Sequence, residues 1–489
     1  MDNEGAGEVA GNAWILWTKD GSPKPRPEIT TADAATTDIK PAPPSVAGID
    51  GRSAPTPGAQ AARPGAAGRV KRHADPLGIE SIVAEERVEV VFQPIVDLVS
   101  DKVVGFEALT RGPEGPLNSP AELFAAAHAS GLAGELDWVC RAVAFRLFMN
   151  AYLPAAISLF VNVERDSLVT PCPDHLLETI WEAERALRVF VDIGGRAVAR
   201  YPKEVLATVS HARAARWGVS LNGLEVGSAA LALLSVIEPD VLRLNAQTRA
   251  LGLPRGRLAL FDALAEAEQT GAALIMEHVE DAGDEALARA SGVRYVQGYR
   301  YGKPGPLPSS LAMPTRPLRL LERPIDQATP FEIAAEGAPS LRMPADLSSV
   351  HVLIRDFVAQ VDAAPTSMFV GVLASDSPDA PGFRASALEG AIADKSTLLL
   401  VLGSDVAMFD DWSTMPVRLP DGHPLLGESC FVAVSPQLCL LLAFRHMGQP
   451  ESAPMWDVVI RQDTTTCRRV ARRLLAESDP VHGDVLTAL

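Results

Sequence analysis

Positive charge, cysteine and long apolar runs are all in short supply in this chain of 489 residues. Lys and Arg number 44 against 61 Asp and Glu, a formal net charge of −17. That balance excludes a broad phosphate-binding surface for duplex nucleic acid, though not one small anion held in a local pocket. The five cysteines (Cys140, Cys172, Cys430, Cys439 and Cys467) include no C-x-x-C pair, so neither a zinc knuckle nor a disulfide framework is expected. Apolar runs such as 396–403 and 438–444 fall far short of the ~20 residues that span a bilayer. The first ten residues, MDNEGAGEVA, are acidic where a signal peptide would be basic. The expectation is a soluble, reduced, cytoplasmic protein without a membrane span.

What is present is enough to fold. Hydrophobic residues make up 47% of the chain, and its length allows two or three domains. The first 70 residues are the exception, since 32 of them are Ala, Gly or Pro. Such a segment cannot bury enough surface to offset its ordering entropy, so 1–76 reads as a disordered tail. Inside it, Trp14, Ile15, Leu16 and Trp17 form an apolar knot that reads either as a loose patch or as a short docking motif.

From 77 to 308 short apolar runs alternate with helical patterns. Strands are expected over 88–98, 103–109, 159–163, 189–193, 219–221, 241–244 and 273–277. Helices are expected over 121–130, 135–150, 175–184, 203–216, 229–234 and 257–270. Repeated strand–helix units over such a length favour a (β/α)8 barrel, whose functional groups sit at the C-terminal strand ends. Those ends carry Glu107, Asn162, Asp192, Asn245, Glu277, Glu280 and Gln297, and converging carboxylates and amides suit hard divalent cations such as Mg²⁺ or Mn²⁺. Each residue taken singly also suits a capping or loop-solvating role. A proline-rich stretch, 309–328, reads as a linker. A smaller α/β unit over 329–477 follows, with a helix over 350–361, strands over 367–373, 398–402, 430–434 and 438–444, and a closing helix over 466–476. Residues 478–489 read as a tail.

The motifs Phe92-Gln93-Pro94-Ile95-Val96-Asp97 and Gly105-Phe106-Glu107-Ala108-Leu109-Thr110-Arg111 resemble the opening of an EAL domain. Phe160-Val161-Asn162-Val163, Trp217-Gly218-Val219-Ser220-Leu221, Glu277-His278-Val279-Glu280 and Gln297-Gly298-Tyr299 are similar to later blocks of that family. The resemblance implies a modified (β/α)8 barrel that binds cyclic di-GMP. In active members it implies two metal ions and linearisation to pGpG. It places Gln93, Arg111 and Gln297 at the ligand and Glu107, Asn162, Asp192 and Glu277 at the metals.

The departures from the family pattern bear on the chemistry. Asn222 and Gly223 stand where the family has paired aspartates, Asp192 and Gly195 where it has glutamates, and His278 where it has glycine. Arg243 replaces the catalytic lysine and Asn245 an aspartate. Arginine keeps its proton and cannot act as a base, but its planar donors could offer a fork to a phosphate. Two-metal hydrolysis needs carboxylates to offset two adjacent cations, so the remaining set is expected to hold one Mg²⁺ or Mn²⁺ weakly at most.

The second unit, with Thr329-Pro330-Phe331-Glu332, His423-Pro424-Leu425, Gly427-Glu428 and Pro436-Gln437-Leu438-Cys439, resembles the DICT domain, a sensory module. No catalytic constellation is read there. His423 and His446 read as loop or surface residues, and Cys430 and Cys439 as core residues rather than redox sensors. Arg468, Arg469, Arg472 and Arg473 read as a solvated basic face, with an anion site as the alternative. Together these features point to a signalling protein that binds cyclic di-GMP or protein partners, with homodimerisation possible within the family's pattern, and turns over little or nothing. The alternatives are slow one-metal hydrolysis and a ligand-free scaffold controlled by the DICT-like unit.

Overall fold

The computed structural model describes residues 78–478 except 169, 224–228, 247–253, 338–340, 365–367, 375–395, 407–412 and 448–454. The tail 1–76 with its Trp14 to Trp17 knot, Leu224, Glu225 and Val226, and the end 479–489 lie outside the described residues. Eight strands close a barrel in chain order: β1 (Glu89–Asp97), β2 (Lys102–Arg111), β3 (Ser158–Val163), β4 (Arg188–Gly194), β5 (Gly218–Asn222), β6 (Val241–Asn245), β7 (Ala273–Glu277) and β8 (Tyr295–Val296). β1 runs antiparallel to both β2 and β8, and all other barrel pairs are parallel. The expected modified (β/α)8 barrel is what forms.

Among the barrel helices, Ala229–Ile237 has the sequence AALALLSVI, apolar on every side. A helix of that kind must be covered all round. It is, because its outer side packs on strands of a second sheet. That sheet uses β9 (Arg342–Asp346), β10 (Met368–Leu373), β11 (Ser396–Gly403), β12 (Thr414–Arg418), β13 (Glu428–Val434), β14 (Cys439–His446) and β15 (Met455–Arg461), in the order β12-β11-β10-β13-β14-β15-β9. Its two edge strands each contain a proline, Pro344 and Pro416. Proline lacks the N–H of a central ladder and guards an edge against further pairing.

Alternate residues of β10, β11 and β13 point to two different cores. Val370, Val372, Leu399, Val401 and Phe431 join one with helix Leu347–Asp362, while Phe369, Leu400, Cys430 and Val432 join the other with helix Thr464–Ala476. Burial on both faces explains why these strands read as unbroken apolar runs.

The stretch 309–328, expected as a linker, is strapped to the barrel. Leu318 is fully buried among Ile95, Phe160, Phe190, Val241 and Ile275, closing the end of the barrel opposite the polar strand ends. Leu321 donates its N–H to Asp240 Oδ1 at 2.6 Å, and Arg188 donates to the Leu318 carbonyl.

The closing helix also departs from expectation. Its arginines do not form a solvated face. Arg468 pairs with the barrel's Glu266 through two bonds of 3.2 and 2.6 Å, Arg472 with Glu238 at 2.9 Å, and Arg469 with Asp326 at 2.5 Å. His423 is not free of carboxylates either, since its Nε2 lies 3.4 Å from Glu477. Cys430 is buried as expected, whereas Cys439 is half-buried. Among the described residues no helix is long and apolar enough to cross a membrane.

Candidate functional site

The C-terminal ends of β2, β4, β6 and β7 bring Glu107, Asp192, Arg243 and Glu277 to one point. Arg243 is 2% exposed and sits at its centre. Its Nη1 donates to Asp192 Oδ2 at 2.5 Å, its Nη2 to Glu107 Oε2 at 2.7 Å, and its Nε lies 2.5 Å from Glu277 Oε1. Nη2 also donates to Gln297 Oε1. Around this hub Gln297 donates to Glu107 at 2.7 Å and to Gln93 at 3.2 Å. Asn162 donates to Glu107 at 3.1 Å and Asn222 to Asp192 at 2.8 Å. The floor is apolar: the Phe160 ring lies 5.7 Å from the guanidinium and stacks on Phe190.

The charges respond to this burial. Burial alone would favour neutral groups, but the carboxylates of Asp192, Glu107 and Glu277 keep Arg243 charged, well above its ordinary pKa. For Glu107, burial opposes ionisation, yet the Arg243 charge and the bonds from Arg243, Gln297 and Asn162 hold its carboxyl below the usual range. Glu277 goes the other way. Burial pushes it up to about 7, Arg243 opposes this, and the Asp192 and Glu107 charges add to it. Three carboxylates share one cation, and the third is the one left wanting a proton.

The inward oxygens of Glu107, Asp192 and Glu277 all lie within 2.7 Å of one guanidinium. Asn222 holds Asp192 by a hydrogen bond and brings no charge. Gly223 brings no side chain, and Gly195 is pressed so close that a Cβ there would lie 2.9 Å from the Gly223 carbonyl oxygen. Among the described residues there is no group of three His, Cys, Asp or Glu side chains arranged to hold a metal ion. All three Arg243 nitrogens meet carboxylates of the barrel.

Other expected site residues stand apart from this cluster. Glu280 is exposed and its N–H is bonded to Asp284. Asn245 is exposed at the end of β6. His278 takes φ +56, a left-handed conformation that glycine adopts without strain. Arg111 lies beside the hub, donating to the Thr110 carbonyl at 2.8 Å, and lines a cavity of about 300 Å³ with Asn162, Asp137 and Arg141. Among the described residues Arg111 makes no ion pair.

Sequence reasoning missed the short helix Gly195–Arg200, which follows β4. With Arg165 it places Arg196 and Arg200 around a cavity of about 360 Å³ at the barrel mouth, next to Asn162, Asp192 and Asn222. The run Arg196, Arg200 at i, i+4 was the available signal. The buried Asp137–Arg141 pair of 3.1 Å beneath Arg111 shows the same spacing.

The family model of the EAL domain matches residues 79–304, which contain all eight barrel strands. The chain is 27% identical over 245 residues to the uncharacterized protein y4lL of Sinorhizobium fredii, covering 48% of this chain and 29% of that one. It is 30% identical over 216 residues to the uncharacterized protein Rv1354c of Mycobacterium tuberculosis, covering 40% of this chain and 34% of that one. The chain therefore spans about a third of the length of these curated relatives. Klebsiella pneumoniae BlrP1, solved as a manganese and cyclic di-GMP complex, is similar with TM-score 0.40 and 23% identity over 45% of this chain and 56% of that one. The FimX EAL domain from Pseudomonas aeruginosa, bound to c-di-GMP, gives TM-score 0.40 and 20% identity over 47% of this chain and 95% of that one.

Proposed function

We propose that this protein is a cyclic di-GMP signalling protein whose EAL barrel binds the nucleotide without hydrolysing it. The observation that carries this reading is the seat of Arg243, a permanent cation bonded to the carboxylates that would have to hold metal. A buried guanidinium neither releases a proton nor generates hydroxide. Asn222 and Gly223 add nothing to offset a second metal charge. Binding needs less. Arg111 and the mouth arginines Arg165, Arg196 and Arg200 supply cationic donors of the kind that recognise phosphate, and planar guanidinium groups suit it well.

The C-terminal unit is proposed to act as a DICT-like sensory module, with the barrel passing its state to a protein partner. Its tight docking on helix Ala229–Ile237 supports such coupling. Titration calorimetry of the full chain with cyclic di-GMP tests the receptor reading. Micromolar binding, equal with and without Mg²⁺ or Mn²⁺ and weakened at least about tenfold in Arg111→Ala, is expected. Absence of heat at any practical concentration would leave only a ligand-free scaffold.

A further inference from the structure

A second cavity, of about 400 Å³, lies between the barrel and the C-terminal sheet, far from the polar strand ends. That size falls in the range of pockets that enclose small organic ligands, roughly 300–1,000 Å³. Its charged walls come from three separate parts of the chain. Helix Pro202–Ala214 supplies Lys203, Leu206 and Arg213, the strap supplies Arg323, and the closing helix supplies Arg472.

Three arginines of the lining, Arg213, Arg323 and Arg472, share two neighbouring carboxylates, Glu238 and Asp240. Glu238 serves both Arg472, at 2.9 Å, and Arg323, at 3.7 Å. Asp240, behind it, accepts the backbone N–H groups of Val219 and Leu321 and attracts Arg213 and Arg323 through its charge alone, without an ion-pair contact among the described residues. Arg213 donates to the Ile237 and Glu238 carbonyls and, among the described residues, makes no ion pair. Arg323 Nε is buried without a hydrogen-bond partner. Burial, and then the neighbouring Arg472 and Arg323 charges, bring Arg213 down to about 10 against the pull of Asp240 and Glu238. Guanidinium groups gathered in a part-buried space, one with an idle donor, are complementary to an anion. Leu206, Val236, Met415 and Leu475 give the same space an apolar side.

We propose that this cavity binds a small organic anion, with a phosphate or carboxylate head held by Arg213, Arg323 and Arg472 and an apolar body against Leu206 and Met415. Because the walls belong to both the barrel and the C-terminal unit, the occupant would tie their docking to its own concentration. This gives the sensory unit an input distinct from the nucleotide.

The test is calorimetry on the full chain with phenyl phosphate, benzoate, inorganic phosphate and benzyl alcohol as probes. At least one aromatic anion should bind about tenfold or more tightly than inorganic phosphate, and benzyl alcohol should not bind. Comparing phenyl phosphate with benzoate identifies the preferred head group. Arg213→Gln should weaken the aromatic anion at least about tenfold. Leu206→Trp, which fills the cavity and leaves every charge in place, should abolish binding while the far-ultraviolet circular dichroism stays native. Should Arg213→Gln fail to fold, Leu206→Trp decides alone. Failure of both aromatic anions to bind at millimolar concentration, or binding that survives Leu206→Trp in folded protein, would overturn the proposal.

Discussion

Arg243 does what a lysine at the end of β6 could not. An ammonium is a point charge, whereas the guanidinium fork reaches Asp192, Glu107 and Glu277 at once. Its worth to the fold follows from what its loss would leave, three buried carboxylates with no counter-charge. Arg243→Met is expected to cost about 3–5 kcal/mol, read as a lowered denaturant midpoint, and a change below about 1 kcal/mol would show the cluster to be unstrained without its cation. The sequence carried half of this. Asn222, Gly223 and Arg243 are visible as departures from a metal-binding pattern without any structure. The inward turn of the fork is not, because it depends on four strand ends meeting, which no local window contains.

Elements were legible where periodicity is long and obscure where it is short. β1 to β7 and the long helices fall where their apolar spacing predicts, with ends displaced by a few residues. β9, β12 and β15 were missed: β9 and β12 are five-residue edge strands interrupted by proline, and β15 carries a charged Asp457 in its first half. The strap was mistaken for a linker because its prolines break any periodic pattern, while its anchors are one fully buried side chain, Leu318, and bonds to distant residues such as Leu321 N–H to Asp240. Leu318→Ala should therefore destabilise the protein by about 2–5 kcal/mol in denaturant melts, while exposed Glu322→Ala stays neutral.

Helix Pro330–Ala335 hangs on Glu428, which accepts the Phe331 N–H and the Thr329 hydroxyl, each at 2.8 Å. Burial raises the Glu428 carboxyl above its ordinary range despite those bonds. The folded state then holds that proton more tightly than the unfolded state. Its contribution is fullest below the ordinary glutamate range and is lost as pH rises through the raised value. Relative to Glu428→Gln, wild-type stability should fall as pH rises from the ordinary glutamate range, by at most about 1.4 kcal/mol per unit. Parallel pH dependence in the two proteins would contradict this.

Across the whole molecule, the net charge of −17 is spent in specific places. Barrel acids Glu266 and Glu238 receive the arginines of the closing helix, so barrel and sheet are joined by buried charge as well as by the apolar helix between them. The i, i+3 and i+4 spacing of those arginines was visible in the sequence, but their partners lie some 200 residues away. At the centre of the barrel one arginine meets three carboxylates, with the amide of Asn222 and the bare backbone of Gly223 beside them. We propose that Arg243, Asn222 and Gly223 together end hydrolysis. The most direct measurement is chromatographic detection of pGpG after incubating the purified full chain with cyclic di-GMP and Mn²⁺. No product above the buffer blank is predicted; product that disappears in Glu107→Ala would contradict the claim.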